Sequence, residues 1–356
     1  MQLRNIAVAG GGIVGLSIAW RLAQEGARVI TFDQSKMGGE ASWAGAGMLA
    51  PGGEVEEPSR LAALALESRR LYPDYVRELE RISSIEIDYQ ERGALELAYS
   101  EEEHAQLQGR AQKQAELGIR SKPLTPAQVV TFWPRVRGEG LVSARFYPDD
   151  AIVNPRQVVE ALRVACEQSG VSLQQDCAVT RGSVSADGVC LQTARGPVAC
   201  DAVVIAAGAW SGWIPVEGVP PLPASEPVRG HLIGYQQPAQ TCETIVRRGH
   251  TYLLQRANGL LIAGASVERV GFNRDIDAGI TASLASAASS VFPHLAETTP
   301  SEVWTGFRPG SGDLQIGAWG SERVLLAYGH YRNGILLAPV TAKLIAAEVS
   351  ASFEKR

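Results

Sequence analysis

Lysine is scarce in this chain of 356 residues: among 33 basic side chains only Lys36, Lys113, Lys122, Lys343 and Lys355 are lysines. Acidic residues number 38, and the net charge of −5 excludes the electrostatic footprint of a nucleic-acid binder or a polybasic membrane-surface protein. Cysteine is equally rare. Cys166, Cys177, Cys190, Cys200 and Cys242 are odd in number and lack CxxC or CxxH spacing, which excludes a disulfide frame and fits reduced thiols in a cytoplasmic protein. His231, His250 and His330 show no metal-ligand spacing, so no metal is expected. An unbroken apolar run of about 18 residues is missing, and with it the expectation of a membrane partner. The first residues enter an apolar strand at Ile6 and a glycine triplet at Gly10, leaving no room for an ordinary signal peptide. Hydrophobic residues at 45% and charged residues at 20% exclude disorder, collagen and coiled coil as global readings.

Glycine, by contrast, is abundant: 37 residues, a tenth of the chain, against roughly 7% in ordinary proteins. The run Ile6-Ala7-Val8-Ala9 reads as a buried parallel strand. Gly10-x-Gly12-x-x-Gly15 follows, then a helical stretch stopped at Gly26, a second strand over 28–32, and Asp33 at its end. Gly10 permits the tight turn, Gly12 lets backbone approach a pyrophosphate, Gly15 allows close helix-to-strand packing, and the helix N-terminus offers free N–H groups to the anion. Asp33 is placed to accept from a ribose hydroxyl and would repel a 2′-phosphate, so FAD or NAD is favoured over NADP. Residues 38–51, GGEASWAGAGMLAP, are too glycine-rich for the next helix of an NAD domain. Such small residues suit either backbone lying flat on a large planar ligand or close helix packing, and the first reading points to FAD.

Residues 59–83 carry a helical stripe of Leu61, Leu64, Leu71, Tyr75, Leu79 and Ile82, with a kink expected at Pro73. Asn154-Pro155 is a helix start, an N-cap followed by proline at the first helical position. The apolar stretch 202–206 reads as another buried parallel strand, returning the chain beside the dinucleotide. Beyond about residue 215, alternating strands with proline breaks suggest an antiparallel sheet. Its clearest hairpin turns at Asn258-Gly259; a two-residue type I′ turn there sets Tyr252 opposite Ala265 and His250 opposite Val267. The expected organisation is α/β: a Rossmann-like FAD-binding domain of the glutathione-reductase type assembled from 1–85, 148–214 and 306–356. An antiparallel-sheet substrate domain from 86–147 and 215–305 is inserted into it.

The segments VAGGGIVGLSIAWRLA, AGAGMLAP, YPDDAIVNP, VVIAAGAWS, PVRG, HTYLLQR, the stretch Trp304 to Gly310 and GHYRNGILLAP carry a resemblance across nearly the whole chain. Together they resemble the D-amino-acid oxidase group of FAD-dependent amine oxidases, and within it the glycine oxidases of thiamine biosynthesis. The resemblance implies non-covalent FAD along Gly10, Gly12, Ile13, Val14 and Gly15, with Asp33 and Gln34 at the adenosine ribose. It implies Ala41, Ser42, Ala46, Gly47 and Met48 along the flavin, the Val179 backbone at adenine, Gly208 beside the cofactor, and His330, Tyr331, Arg332, Asn333, Gly334, Ile335 and Leu336 at the ring edge. Arg308 matches the family's carboxylate-binding arginine, Tyr252 the tyrosine that assists it, and Arg332 a supporting arginine beside the flavin.

Those residues suit oxidation of a small amino acid or amine by molecular oxygen: a planar guanidinium meets a carboxylate through two parallel bonds and fixes its direction. The family pattern leaves two alternatives open, a dehydrogenase passing electrons to a carrier and an oxidase of 2-hydroxy acids. Two departures from it bear on the substrate. The stretch after Arg308 is about two residues shorter than usual, and Val267 stands where a pocket methionine is common. Trp210, Trp213 and Trp304 are read as packing residues. Relatives of this group often form tetramers, so a homo-oligomer is expected.

Overall fold

The computed structural model describes residues 4–310 and 312–354. Consecutive apolar residues make β1 (Asn5–Ala9), and strand alternation sends them to two different cores. Ile6 and Val8 join a core shared with helices, whereas Ala7 and Ala9 join a second core beneath a four-stranded sheet. β1 pairs in parallel with β2 (Arg28–Phe32) on one side and with Ala202–Ile205 on the other. Ser172–Gln174 and Val324–Tyr328 extend this sheet in parallel, and Gln315–Ala318 ends it antiparallel, giving six strands. Helix α1 (Ile13–Gln24) and the helices Arg60–Ser83, Pro155–Gln168 and Gly334–Glu354 pack together on one face.

The helix Arg60–Ser83 is capped by the Ser59 hydroxyl, which accepts from the N–H of Ala62, and it runs through Pro73. Its buried line is Leu64, Ala65, Ser68, Tyr72, Val76 and Leu79, whereas Leu61, Leu71, Tyr75 and Ile82 are only partly buried. The expected stripe is therefore rotated. Ser68 and Tyr72 face the closing helix and donate to the carbonyls of Leu336 (2.6 Å) and Ile335 (3.0 Å), a polar anchorage that hydrophobic periodicity does not register. Gly334–Ser352, with a mean hydropathy of 1.5, is long and apolar enough to cross a membrane by length and composition. Here it packs against α1 and Arg60–Ser83, burying Leu337, Val340, Ile345 and Val349.

The second large sheet has eight strands, antiparallel except where Ile245–Arg248 runs parallel to Ala94–Ala98. Its edge strand Glu302–Gly310 pairs along its whole length with Glu226–Gln236, so the domain boundary expected at 306 falls inside a strand. Helix Ala278–Val291 covers one face through Leu284, Ala288 and Val291. The hairpin at Asn258-Gly259 departs from the expected register by one residue. Arg256 and Leu260 flank a three-residue loop, Gly259 takes φ +88°, and its N–H donates to the Arg256 carbonyl. A type I turn followed by a left-handed glycine adds one residue to the loop and shifts every pair. Tyr252 accordingly stands opposite Gly264 instead of Ala265.

Asn154 accepts from the N–H of Arg156 (3.2 Å) at the start of Pro155–Gln168, as an N-cap should. Asn154→Ala is expected to lower unfolding stability by about 1 kcal/mol, measured by urea denaturation with the slope unchanged.

Candidate active site

The turn after β1 is built around backbone proximity. Gly10 adopts φ +114°, and a Cβ there would collide with the Ala206 carbonyl at the end of the neighbouring strand. A Cβ on Gly15 would strike the Gly10 carbonyl, so α1 can approach β1 only with glycine at this position. Asp33 Oδ2 accepts from the Gly11 N–H (2.9 Å) while its Oδ1 accepts from the Ser35 N–H (2.9 Å), tying the strand end to the turn. Gly12, at the N-cap of α1, has no side chain to close the helix; Ser42 Oγ instead accepts from the Ile13 N–H (2.9 Å). The following amides of the first turn have no intrahelical acceptor and keep the anion-binding capacity of a helix start.

This turn opens into a cavity of about 470 Å³ that lies between the strand ends of the six-stranded sheet and one face of the eight-stranded sheet. Of the residues expected at a cofactor, Gly10, Gly12, Ile13, Val14, Asp33, Gln34, Ala41, Ser42, Ala46, Gly47 and Met48 line it. So do Val179, Gly208, His330, Tyr331, Arg332, Asn333, Gly334 and Ile335. Gly15 and Leu336 do not. Gly15 is consumed by helix packing, and Leu336, next in the helix after Ile335, is turned into the core with 1% exposure. Gly45 and Gly306 also line the space, and a Cβ on Gly306 would meet Ala44, so this glycine lets the edge strand approach the 41–44 turn.

Tyr252, Arg308 and Arg332 line the same cavity, although they come from three separated segments. Arg332 is paired: its Nη2 and Nε donate to Glu54 Oε1 at 3.0 and 3.2 Å. Arg308 differs. Its Nη1 donates to the carbonyls of Ser266 (3.0 Å) and, at longer range, Arg229 (3.5 Å), and no carboxylate pairs with it among the described residues. Gly230 makes room, since a Cβ there would occupy the position of the Arg308 guanidinium. Burial, opposed by the nearby Tyr252, lowers the Arg308 pKa from its usual value. Tyr252 is buried, its pKa raised mainly by desolvation, and its hydroxyl has no hydrogen-bond partner among the described residues. An uncompensated cation and an unpaired hydroxyl thus share one pocket.

Glu54 was invisible in the sequence because nothing in Pro51-Gly52-Gly53-Glu54 indicates its partner 278 residues away. Trp210 and Trp213, read as packing residues, line the cavity; Trp210 stacks on Phe272 with ring centroids 4.5 Å apart. Trp304 keeps the expected packing role, donating from Nε1 to the Ala44 carbonyl (2.9 Å). Val267 is corrected outright: it is 54% exposed and does not line the cavity.

A sequence model of the FAD dependent oxidoreductase family matches residues 5–348. The chain belongs to the family of FAD-dependent oxidoreductases. This family member is 32% identical over 346 residues to a glycine oxidase of Geobacillus kaustophilus, covering 96% of this chain and 92% of the relative. It is also 32% identical to the bifunctional protein ThiO/ThiG of a Synechocystis species, covering 96% of this chain but only 51% of that longer protein. Among solved structures, that of glycine oxidase from Geobacillus kaustophilus superimposes with a TM-score of 0.92 at 30% identity, covering 98% of this chain and 95% of the other. FAD suits the donors present: a glycine turn that a Cβ would fill, an open helix start, and a carboxylate at the end of β2.

His330 lines this FAD-dependent oxidoreductase's cavity but is buried, with Nε2 at 3.0 Å from Thr341 Oγ1, and burial pushes its pKa down to about 4. The folded chain therefore holds it neutral to about pH 4, whereas an unfolded imidazole takes a proton near 6.5. The unfolded state binds more protons in that window, so stability falls as pH drops from about 6.5 to about 4, by up to about 3 kcal/mol. In His330→Gln the fall is expected to be smaller over the same window, measured by thermal unfolding across a pH series.

Proposed function

We propose that this chain oxidises glycine, or an amino acid of similar size, to the imine, which water then converts to the α-keto acid and ammonia. FAD, when bound, supplies the two-electron acceptor at the substrate carbon, and its reoxidation by molecular oxygen yields hydrogen peroxide. The observation that carries the reading is Arg308, a partly buried cation that has no carboxylate partner among the described residues, beside the Tyr252 hydroxyl, which has no partner among them either. A substrate carboxylate satisfies both. The planar guanidinium fixes its direction, the hydroxyl donates a further bond, and the α-carbon is thereby held in one orientation.

The carboxylates and the imidazole that line the cavity are already engaged. Asp33 holds the glycine turn, Glu40 pairs with Arg274 (2.8 Å), Glu54 pairs with Arg332, and His330 is neutral and bound to Thr341. No free general base remains among the described lining residues, which supports removal of the α-hydrogen as a hydride from a substrate whose amine arrives neutral. Within this reading Arg332 acts as a neutralised wall residue beside the cofactor, and the glycine turn with Asp33 holds the dinucleotide. The division into a cofactor part and a substrate part follows the two large sheets, with the strand Glu302–Gly310 on the substrate side. The match to one half of a ThiO/ThiG protein supports a place in thiamine biosynthesis.

Purified protein mixed with glycine in air is expected to bleach its flavin absorbance and release hydrogen peroxide. Bleaching without peroxide would identify a dehydrogenase, and no bleaching by glycine or any small amino acid would overturn the reading. Arg308→Ala is expected to raise KM for glycine tenfold to a hundredfold, about the worth of a charge-assisted hydrogen bond, while FAD stays bound.

A further inference from the structure

Behind Arg308 lies a buried polar network that the proposed reaction does not use. Arg229 and His231 lie on the strand Glu226–Gln236, with side chains 7% and 0% exposed, and both contact Glu268, whose side chain is 14% exposed. Glu268 Oε2 accepts from Arg229 Nη2 (2.5 Å) and Nε (3.2 Å). Its Oε1 accepts from Ser266 Oγ (2.6 Å) and His231 Nδ1 (2.8 Å). His231 Nε2 accepts from the Asp277 N–H (3.0 Å), which places the ring proton on Nδ1, facing Glu268. Arg229 completes its fork with Nη1, which donates to the carbonyls of Asn273 (3.2 Å) and Asp275 (3.1 Å). Backbone bonds clasp the same pair of residues: Arg229 N–H to Glu268 O (2.9 Å) and Glu268 N–H to Arg229 O (3.0 Å).

Every side-chain partner of Glu268 is a donor. Only an acceptor-only group satisfies all of them, which a carboxylate is and a carboxamide is not. The two carbonyls that Arg308 uses belong to Ser266 and Arg229, the residues Glu268 holds by hydroxyl, guanidinium and backbone. We infer that Glu268 is a positioning residue for substrate binding: it fixes those two carbonyls and through them the aim of Arg308. Its own charge is balanced by Arg229, so Arg308 is held by neutral oxygens and keeps its charge for the substrate. This inference rests on the reading of Arg308 as the carboxylate-binding residue.

The test is a double-mutant cycle on the FAD-loaded enzyme with glycine, comparing wild type, Glu268→Gln, Arg308→Ala and the double variant, with flavin absorbance and thermal midpoint recorded for each. Glu268→Gln is expected to lower kcat/KM by about threefold to a hundredfold, the range for coupled neighbours, chiefly through KM and with FAD retained. In the Arg308→Ala background the same change is expected to have no further effect on kcat/KM. An equal loss in both backgrounds would make Glu268 a general structural residue and overturn the inference, as would an unchanged KM in Glu268→Gln. A silent Arg308→Ala would overturn the carboxylate reading itself; a damaging Arg308→Ala with a silent Glu268→Gln removes only the positioning role. Should Glu268→Gln fail to fold, Ser266→Ala, which removes the hydroxyl link and keeps the carbonyl, enters the same cycle with the same outcomes.

Discussion

A guanidinium held by carbonyl oxygens presents an uncancelled charge, whereas one held by a carboxylate stays protonated with its field largely cancelled, and the cavity contains one of each. Arg332 meets Glu54, while among the described residues Arg308 donates to the backbone oxygens of Ser266 and Arg229. Removing a cation from water without a counter-charge is costly, and the lowered Arg308 pKa expresses that cost. In the proposed reading a substrate carboxylate relieves it, so the desolvation of Arg308 favours an anionic substrate. The rest of the eight-stranded sheet serves this arrangement: Gly230 vacates the space for the guanidinium, and Gly264 stands opposite the ring of Tyr252.

The cofactor side rests on a different constraint, the closeness with which backbone must pass backbone. Gly10 faces the Ala206 carbonyl, Gly15 faces the Gly10 carbonyl, and Gly47 faces the Val153 carbonyl, in each case where a Cβ cannot fit. Asp33 and Ser42 then bind the turn from outside. At these three positions glycine is a steric requirement, set where strand ends and the helix start converge. Arg156 and Trp304 add polar anchors, donating to the carbonyls of Trp43 (3.3 Å) and Ala44 (2.9 Å), so the short turn along the cavity is pinned from two elements.

The centre of the parallel sheet was readable because Ile6–Ala9 and Ala202–Ile205 are short apolar runs leading to glycine and β2 ends on Asp33, and the first helix because its period is regular. Readings failed where a single bond outweighed a pattern. The stripe of the helix Arg60–Ser83 is rotated by Ser68 and Tyr72, which bond the closing helix. The hairpin register moved by one because Gly259 closes a three-residue loop, a choice that Asn-Gly allows but does not require. Val267 was assigned to the pocket by position in a family pattern, yet its side chain points to solvent.

The sequence by itself determined the dinucleotide turn, since Gly10, Gly12, Gly15 and Asp33 lie within one βαβ unit and local geometry leaves them a single arrangement. It also named Arg308, Tyr252 and Arg332 through resemblance, without revealing how they differ. Only the tertiary structure decided that, because charge compensation depends on what lies within a few ångströms. Glu54 lies 278 positions from Arg332, and Ser266 lies 42 from Arg308; no local signal carries such distances. Which arginine is neutralised and which keeps its charge is a property of the fold.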